Sequence, residues 1–270
     1  MPLAVCATPI GNLEDVTLRV LATLADADVV LAEDTRHTRG LLQRHGIEAR
    51  VLSYHEHNEA ARVAELLPRL LAGEKLALVS DAGLPGISDP GARIVRAALD
   101  AGVPVTVLPG PSAVETALVA SGLVSGRYCF VGFLPRRKGE LEALWAELAK
   151  WGWPVVAFES AQRLPASLRS LAGAAPEREV AVCRELTKRF EEIARGSAAE
   201  LAERFSEPPK GEITLVIGAA LRAPVTEGDE AKAAEAVAEL VAAGTPRRAA
   251  AEIVARLTGA SRNDLYRGSL

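Results

Sequence analysis

The feature that most restricts this chain is a rhythm. Short apolar runs alternate with longer amphipathic stretches. Residues 3–7, Val29–Ala32 and Leu76–Val79 are apolar at every position, not at every second one. Such strands are buried on both faces. A further strand is expected over 103–108. Between these runs, residues 17–24, 35–45, 59–72, 92–101 and 112–120 carry apolar side chains at helical spacing. Ser112 is expected to cap the last of these helices. Strand and helix in regular succession imply an α/β fold, a mostly parallel sheet covered by helices on both faces.

The pattern loosens after Gly126. Strands are expected over 128–132, 155–158, 180–183 and 213–217, with helices over 141–150, 165–171 and 198–205. This reads as a second α/β unit. The chain therefore divides into an N-terminal domain (1–122), a C-terminal domain (123–226) and a helical extension (227–270). In the extension an Ala-rich acidic helix over 229–243 meets Gly244, Thr245 and Pro246. A basic helix over 247–257 follows, and Ser261 caps a last one through Leu265 and Tyr266. This is a helix-turn-helix pattern, or else an ordinary helical hairpin.

Net charge is −4, which argues against non-specific nucleic-acid binding. Basic charge is instead local. Arg136, Arg137 and Lys138 form one group. The tail forms the other, with Arg247, Arg248, Arg256, Arg262 and Arg267 against only Glu252 and Asp264. No stretch approaches membrane-spanning length and no secretory signal is visible, so a cytoplasmic chain is expected. Cys6, Cys129 and Cys183 lie far apart in apolar runs without CxxC spacing. They are expected to be buried thiols, and no metal site is expected.

Three glycine- and proline-rich loops each follow a strand. They are Thr8-Pro9-Ile10-Gly11-Asn12, Ser80 through Gly91, and Leu108-Pro109-Gly110-Pro111-Ser112. Ligands of open α/β sheets bind outside the carboxyl ends of the strands, so the loops are expected to build one crevice. Glycine lets a ligand approach the backbone, and proline sets the loop shape. Neither GxxxxGK(S/T) nor GxGxxG is present, so a phosphate cradle and a dinucleotide are disfavoured.

These loops carry a specific resemblance. The matching segments are TPIGNLEDVTLR (8–19), AEDTRHT (32–38), HEHNE (55–59), SDAGLPGISDPG (80–91), LPGPSA (108–113), GFLPRRKG (132–139), FES (158–160), RELTK (184–188) and KGEITLVI (210–217). In that order they resemble the ribosomal RNA small-subunit methyltransferase I family of the tetrapyrrole methylase (class III) superfamily. The family commonly has Thr where Leu84 stands and a residue other than Gly at position 86. The resemblance implies two α/β domains of the tetrapyrrole methylase type with the cofactor cleft between them, plus the small C-terminal extension as an RNA-binding element. It implies S-adenosylmethionine, which has no phosphate to cradle, and 2′-O-methylation of a cytidine ribose in the decoding region of 16S rRNA. It also implies a homodimer. Implied cofactor contacts are Pro9, Asp81, Gly83, Leu84, Ser112, Ala113, Leu186, Glu212 and Ile213. The partner would be 16S rRNA or the small ribosomal subunit. A tetrapyrrole-type small-molecule methyltransferase is the alternative.

A ribose hydroxyl is a poor nucleophile while protonated, so some side chain should accept its proton. Asp34, His57, Glu59 and Glu159 sit in polar runs at strand or helix ends and are the candidates. Lys188 and Arg36 would suit a developing alkoxide or an RNA phosphate. Competing structural roles are evident. Asp34 precedes Thr35 as a helix cap would, and Arg36 suits an ion pair.

Overall fold

The computed structural model describes residues 2–124, 126–220, 227–258 and 260–268, with backbone alone for 227–230. The first sheet holds β1 (Leu3–Cys6), β2 (Val29–Ala32), β3 (Val51–Ser53), β4 (Leu76–Val79) and β5 (Val105–Leu108), in the order β3-β2-β4-β1-β5. Every pairing in it is parallel. Side chains alternate between two cores, as the unbroken apolar runs require. Leu3, Val5, Leu76 and Leu78 pack under α3 (Glu59–Leu71) and α4 (Ala92–Asp100) with Leu66, Leu70 and Ile94. Ala4, Cys6, Ala77 and Val79 face the other way, against Val20 and Leu24 of α1 (Leu18–Asp26) and Leu42 of α2 (Thr35–Arg44).

The second sheet is mixed. It holds β6 (Cys129–Phe133), β7 (Val155–Ser160), β8 (Glu179–Arg184), β9 (Glu192–Ser197) and β10 (Glu212–Ile217), in the order β6-β7-β10-β8-β9. Only β6 and β7 run parallel. One face is covered by α6 (Lys138–Leu148), α7 (Leu164–Ala174) and α8 (Ala198–Arg204). The other is covered by α5 (Ala113–Ser121), which follows β5 of the first sheet. Val114, Ala117 and Leu118 of α5 pack on Val156, Ala181, Cys183 and Val216. The two sheets thus share a helix, and the loop before it lies between them.

The Ser112 side chain does not cap α5, contrary to expectation. Ser112 does occupy the N-cap position, but its hydroxyl accepts no backbone amide and instead donates to the Glu115 carboxylate. Cys6 and Cys183 are buried and Cys129 is half-buried; all three are free thiols.

The chain divides after Ala220 into two compact units. The second holds α9 (Glu227–Ala242), α10 (Arg247–Thr258) and α11 (Arg262–Gly268) around Val237, Ala250, Ala251, Val254 and Leu265. Gly244, at φ 92°, makes the turn between α9 and α10. The Ser261 hydroxyl accepts from the Asp264 amide at 3.4 Å, the expected cap. Arg248, Arg256, Arg262 and Arg267 are exposed on this unit. Among the described residues no helix is long and apolar enough to cross a membrane.

Candidate functional site

The three loops meet because β4 and β5 flank β1. Thr8 and Gly83 exchange backbone hydrogen bonds of 2.8 and 3.0 Å, joining the first loop to the second. The Thr8 hydroxyl adds a bond to the Ser80 carbonyl at 3.0 Å. The third loop backs onto β1 so closely that a Cβ on Gly110 would lie 2.9 Å from that of Ala7. Glu59 pins the far end of the second loop. Its carboxylate accepts from the Gly91 amide at 2.8 Å and from the buried Tyr54 hydroxyl at 3.2 Å.

The second sheet contributes the end of β7, the loop after β8 and the start of β10, neighbours because β10 runs antiparallel to both. Lys188 braces this side, donating to Glu185 and Glu212 at 2.9 Å each. Gly11 presses against the brace, where a Cβ would lie 2.5 Å from Lys188 Cγ. The Asn12 amide donates to the Thr187 hydroxyl at 3.0 Å. Among the described residues, Ser88, Glu185 and Thr187 are the non-glycine residues in the left-handed region, at φ 64°, 52° and 64°. Ser88 lines the site, and the other two flank Leu186, which does as well. Backbone strain of this kind concentrates at functional sites.

Between these rims lies a cavity of 530 Å³. Ligand pockets commonly span about 300–1,000 Å³. Ile10, Leu84, Ala113, Phe158, Leu186 and Ile213 give it apolar walls, and Glu33, Asp81 and Asp89 give it an acidic end. Of the expected cofactor residues, Asp81, Gly83, Leu84, Ser112, Ala113, Leu186, Glu212 and Ile213 line it, and Pro9 does not.

The expected proton acceptors lie elsewhere or are already engaged. Asp34 is outside the cavity. It caps α2 and pairs with Arg36 at 2.8 Å, and that hydrogen bond holds its carboxyl well below the usual range. His57 is exposed, its ring 6.0 Å from that of His55, and also lies outside. Glu59 and Lys188 are the loop pin and the brace, away from the lining. Glu159 does line the cavity, but it is 3% exposed and saturated. The Ser160 amide, two Arg163 nitrogens and the Ser167 hydroxyl all donate to it.

Sequence reasoning favoured Asp34 over Glu33 in the same polar run, and missed Asp89, as candidates for the chemistry. Burial chiefly raises the Asp89 carboxyl to about 6. The Glu33 charge adds to this, a Ser80 hydrogen bond opposes it, and Asp81 adds further. Glu33 is raised too, first by burial, then by Asp81 and Glu56, with His55 opposing. Among the described residues no Lys or Arg forms an ion pair with Glu33, Asp81 or Asp89. Nor is there a group of three or more His, Cys, Asp and Glu that could hold a metal ion. The site suits an organic cation with an apolar body. Perturbed carboxyls in a cleft also mark proton chemistry.

Comparison with known proteins adds four findings. Residues 2–202 match the family described as Tetrapyrrole (Corrin/Porphyrin) Methylases. A ribosomal RNA small subunit methyltransferase I of Mesorhizobium japonicum is 45% identical over 268 residues, covering 97% of this chain and 88% of the relative. Its namesake from Thermotoga maritima is 44% identical over 216 residues, covering 80% of this chain and 97% of the relative. Among solved structures, a uroporphyrin-III C-methyl transferase from Thermus thermophilus, complexed with S-adenyl homocysteine, superposes with a TM-score of 0.55 at 18% identity. That likeness covers 79% of this chain and 96% of the other, and supports the fold.

Proposed function

This chain belongs to the ribosomal RNA small subunit methyltransferase I family of the tetrapyrrole methylases, and from that membership we propose that it 2′-O-methylates a cytidine in the decoding region of 16S rRNA, using S-adenosylmethionine. One observation carries the reading. The family's loop motifs converge on a single cavity whose apolar walls and unpaired carboxylates match a sulfonium nucleoside bearing an ammonium group.

The residues present fit that cofactor. Asp81 and Glu33 would meet its cationic groups. Ile10, Leu186, Ala113 and Ile213 would cover the nucleoside, and the Gly83 backbone, without a Cβ, would take close contact. When bound, the cofactor supplies a methyl group on a positively charged sulfur, which departs with the bonding electrons.

The chain then has two tasks, alignment and proton removal. Asp89 is the acceptor we assign for the ribose hydroxyl proton. It lines the cavity, lacks an ion pair, and is poised close to neutral pH. Glu59 positions it by anchoring Gly91, two residues on. Glu159 with Arg163 shapes the opposite wall, and Lys188 fixes the strained turn that presents Leu186. The exposed arginines of the C-terminal unit and Arg136 would meet RNA phosphates. A cytoplasmic homodimer with α/β domains at 1–122 and 123–226 completes the proposal.

The test is transfer of labelled methyl from S-adenosylmethionine to small-subunit particles and to free 16S rRNA, followed by nuclease mapping. A porphyrinogen serves as rival acceptor. Label in an alkali-resistant dinucleotide at one cytidine supports the reading; label in the porphyrinogen, or in a base, contradicts it.

A further inference from the structure

We propose that Phe133 is a stacking platform for one unpaired nucleobase of the RNA substrate at the mouth of the cavity. The inference rests on the RNA reading above and adds a base-binding subsite to it. Phe133 lines the cavity yet is 62% exposed. A large apolar ring left open beside a ligand site calls for a partner.

Its placement comes from an irregularity in β6. Pairing with β7 shifts register between Phe130 and Phe133, and Gly132 inside the shift has φ 70°. Such bulges re-aim a side chain next to a site. This one brings the strand up to the second loop, since a Cβ on Gly132 would lie 3.8 Å from Ser88 Oγ. Phe133 therefore sits across from the Ser88–Asp89 turn, where the hydroxyl proton is taken.

The ring is also steadied from behind. Phe158 meets it edge-on at 5.4 Å and 62°, and Phe130 packs on Phe158 at 4.9 Å. An aromatic with one edge packed and its remaining surface open suits an unstacked base, whose contact is largely independent of base identity.

Charge next to the ring favours a nucleic acid strand as the occupant. Arg136, three residues on, is exposed and forms no ion pair among the described residues, while its neighbours Arg137 and Lys138 pair with Glu140 and Glu142. A base on Phe133 would leave its flanking phosphate near Arg136.

The experiment compares Phe133→Ala, Phe133→Leu and Phe133→Tyr with the unaltered chain. The first probe is a single-stranded oligoribonucleotide carrying a fluorescent cytosine analogue, whose emission is quenched on stacking. The second is kcat/KM for methyl transfer to small-subunit particles. We expect Phe133→Ala and Phe133→Leu to abolish the quench and lower kcat/KM about 10- to 100-fold, and Phe133→Tyr to restore both, as base–aromatic stacking implies. Calorimetric affinity for S-adenosylhomocysteine and the sedimentation mass should not change.

A loss of S-adenosylhomocysteine affinity would overturn the proposal, assigning the ring to the cofactor. A change of mass would also overturn it, assigning the ring to a contact between copies. Full rescue by Phe133→Leu would do the same, since bulk alone would then suffice. The quench is read on oligonucleotide binding, so it decides the platform even for a chain that methylates no small-subunit RNA. Absence of label in particles with the unaltered chain would instead contradict the functional reading.

Discussion

Asp89→Asn should make the folded chain more stable near neutral pH while removing its activity. The Asp89 carboxyl rises from 3.8 to about 6 because folding buries it and sets it beside Glu33 and Asp81, with Ser80 donating in opposition. Folded chain therefore holds the proton more tightly than unfolded chain. Below about pH 4 both forms are protonated and nothing is lost. Between pH 4 and 6 the unfolded form ionises first, and above pH 6 the full penalty stands. Two units at about 1.4 kcal/mol each give roughly 3 kcal/mol. Water reaches this loop, so screening reduces the penalty to about 1–2 kcal/mol. In a chain of this size that is a gain of about 2–4 °C in Tm. Asn keeps the shape but carries no charge. Thermal unfolding of both proteins without cofactor, at pH 7.5 and at pH 4.5, should show the variant ahead at the higher pH and its lead cut to about a third at the lower. Methyl transfer should fall about 100- to 10,000-fold, the usual loss of a general base. A Tm difference that is the same at both pH values, or a less stable variant, would refute the electrostatic argument. Undiminished turnover would refute the assignment of the base.

Two further outcomes follow from the same geometry. Arg163→Met leaves the buried Glu159 carboxylate with only Ser160 and Ser167 as donors, and also frees the Leu134 carbonyl bonded at 2.7 Å. Stability by chemical denaturation should drop by about 3 kcal/mol, the cost of breaking a buried ion pair, and a neutral result would show that water already enters there. Replacing Arg248, Arg256, Arg262 and Arg267 together with Ala should weaken RNA binding and flatten its salt dependence by about 0.7 in log–log slope for each phosphate no longer neutralised. It should raise KM and leave kcat nearly intact, since none of these arginines lines the cavity. An unchanged slope would remove the C-terminal unit from RNA recognition.

Much of the framework is legible in the residue pattern. Runs such as Val29–Ala32 and Leu76–Val79 are strands to the residue, because apolar continuity directly reports burial on two faces. The convergence of three loops follows as directly, since strand-end loops of a parallel sheet share one edge. Two strands escape such reading. β3 is half-buried at every position, and β9 (EIARGS) lacks alternation and is held as an edge by pairing with β8 and by the Arg184–Glu192 ion pair at 2.8 Å. The crossing of α5 to the second sheet also leaves no local trace, because a helix with apolar residues on several sides does not say which sheet it covers.

Side-chain roles were the least legible. Asp34, Glu59 and Glu159 stand at strand and helix ends, where a base could stand, but each is held by a nearby donor. Local spacing reveals the Asp34 cap, since Arg36 is two residues away, and Glu159 with Arg163 is an i,i+4 pair. Nothing in the local sequence announces that Glu33 and Asp89, 56 positions apart, share one acidic end of a cavity. That depends on β2 and β4 being neighbours in the sheet.

The central claim is that the strand-end cavity holds the cofactor, and calorimetry with S-adenosylhomocysteine tests it most directly. Ala113→Trp would fill the space between Leu186 and the third loop without touching either core of the first sheet. The unaltered chain should bind one molecule per chain and the variant none, at unchanged helical content. Equal binding by the two would place the ligand elsewhere and contradict the site from which the rest is derived.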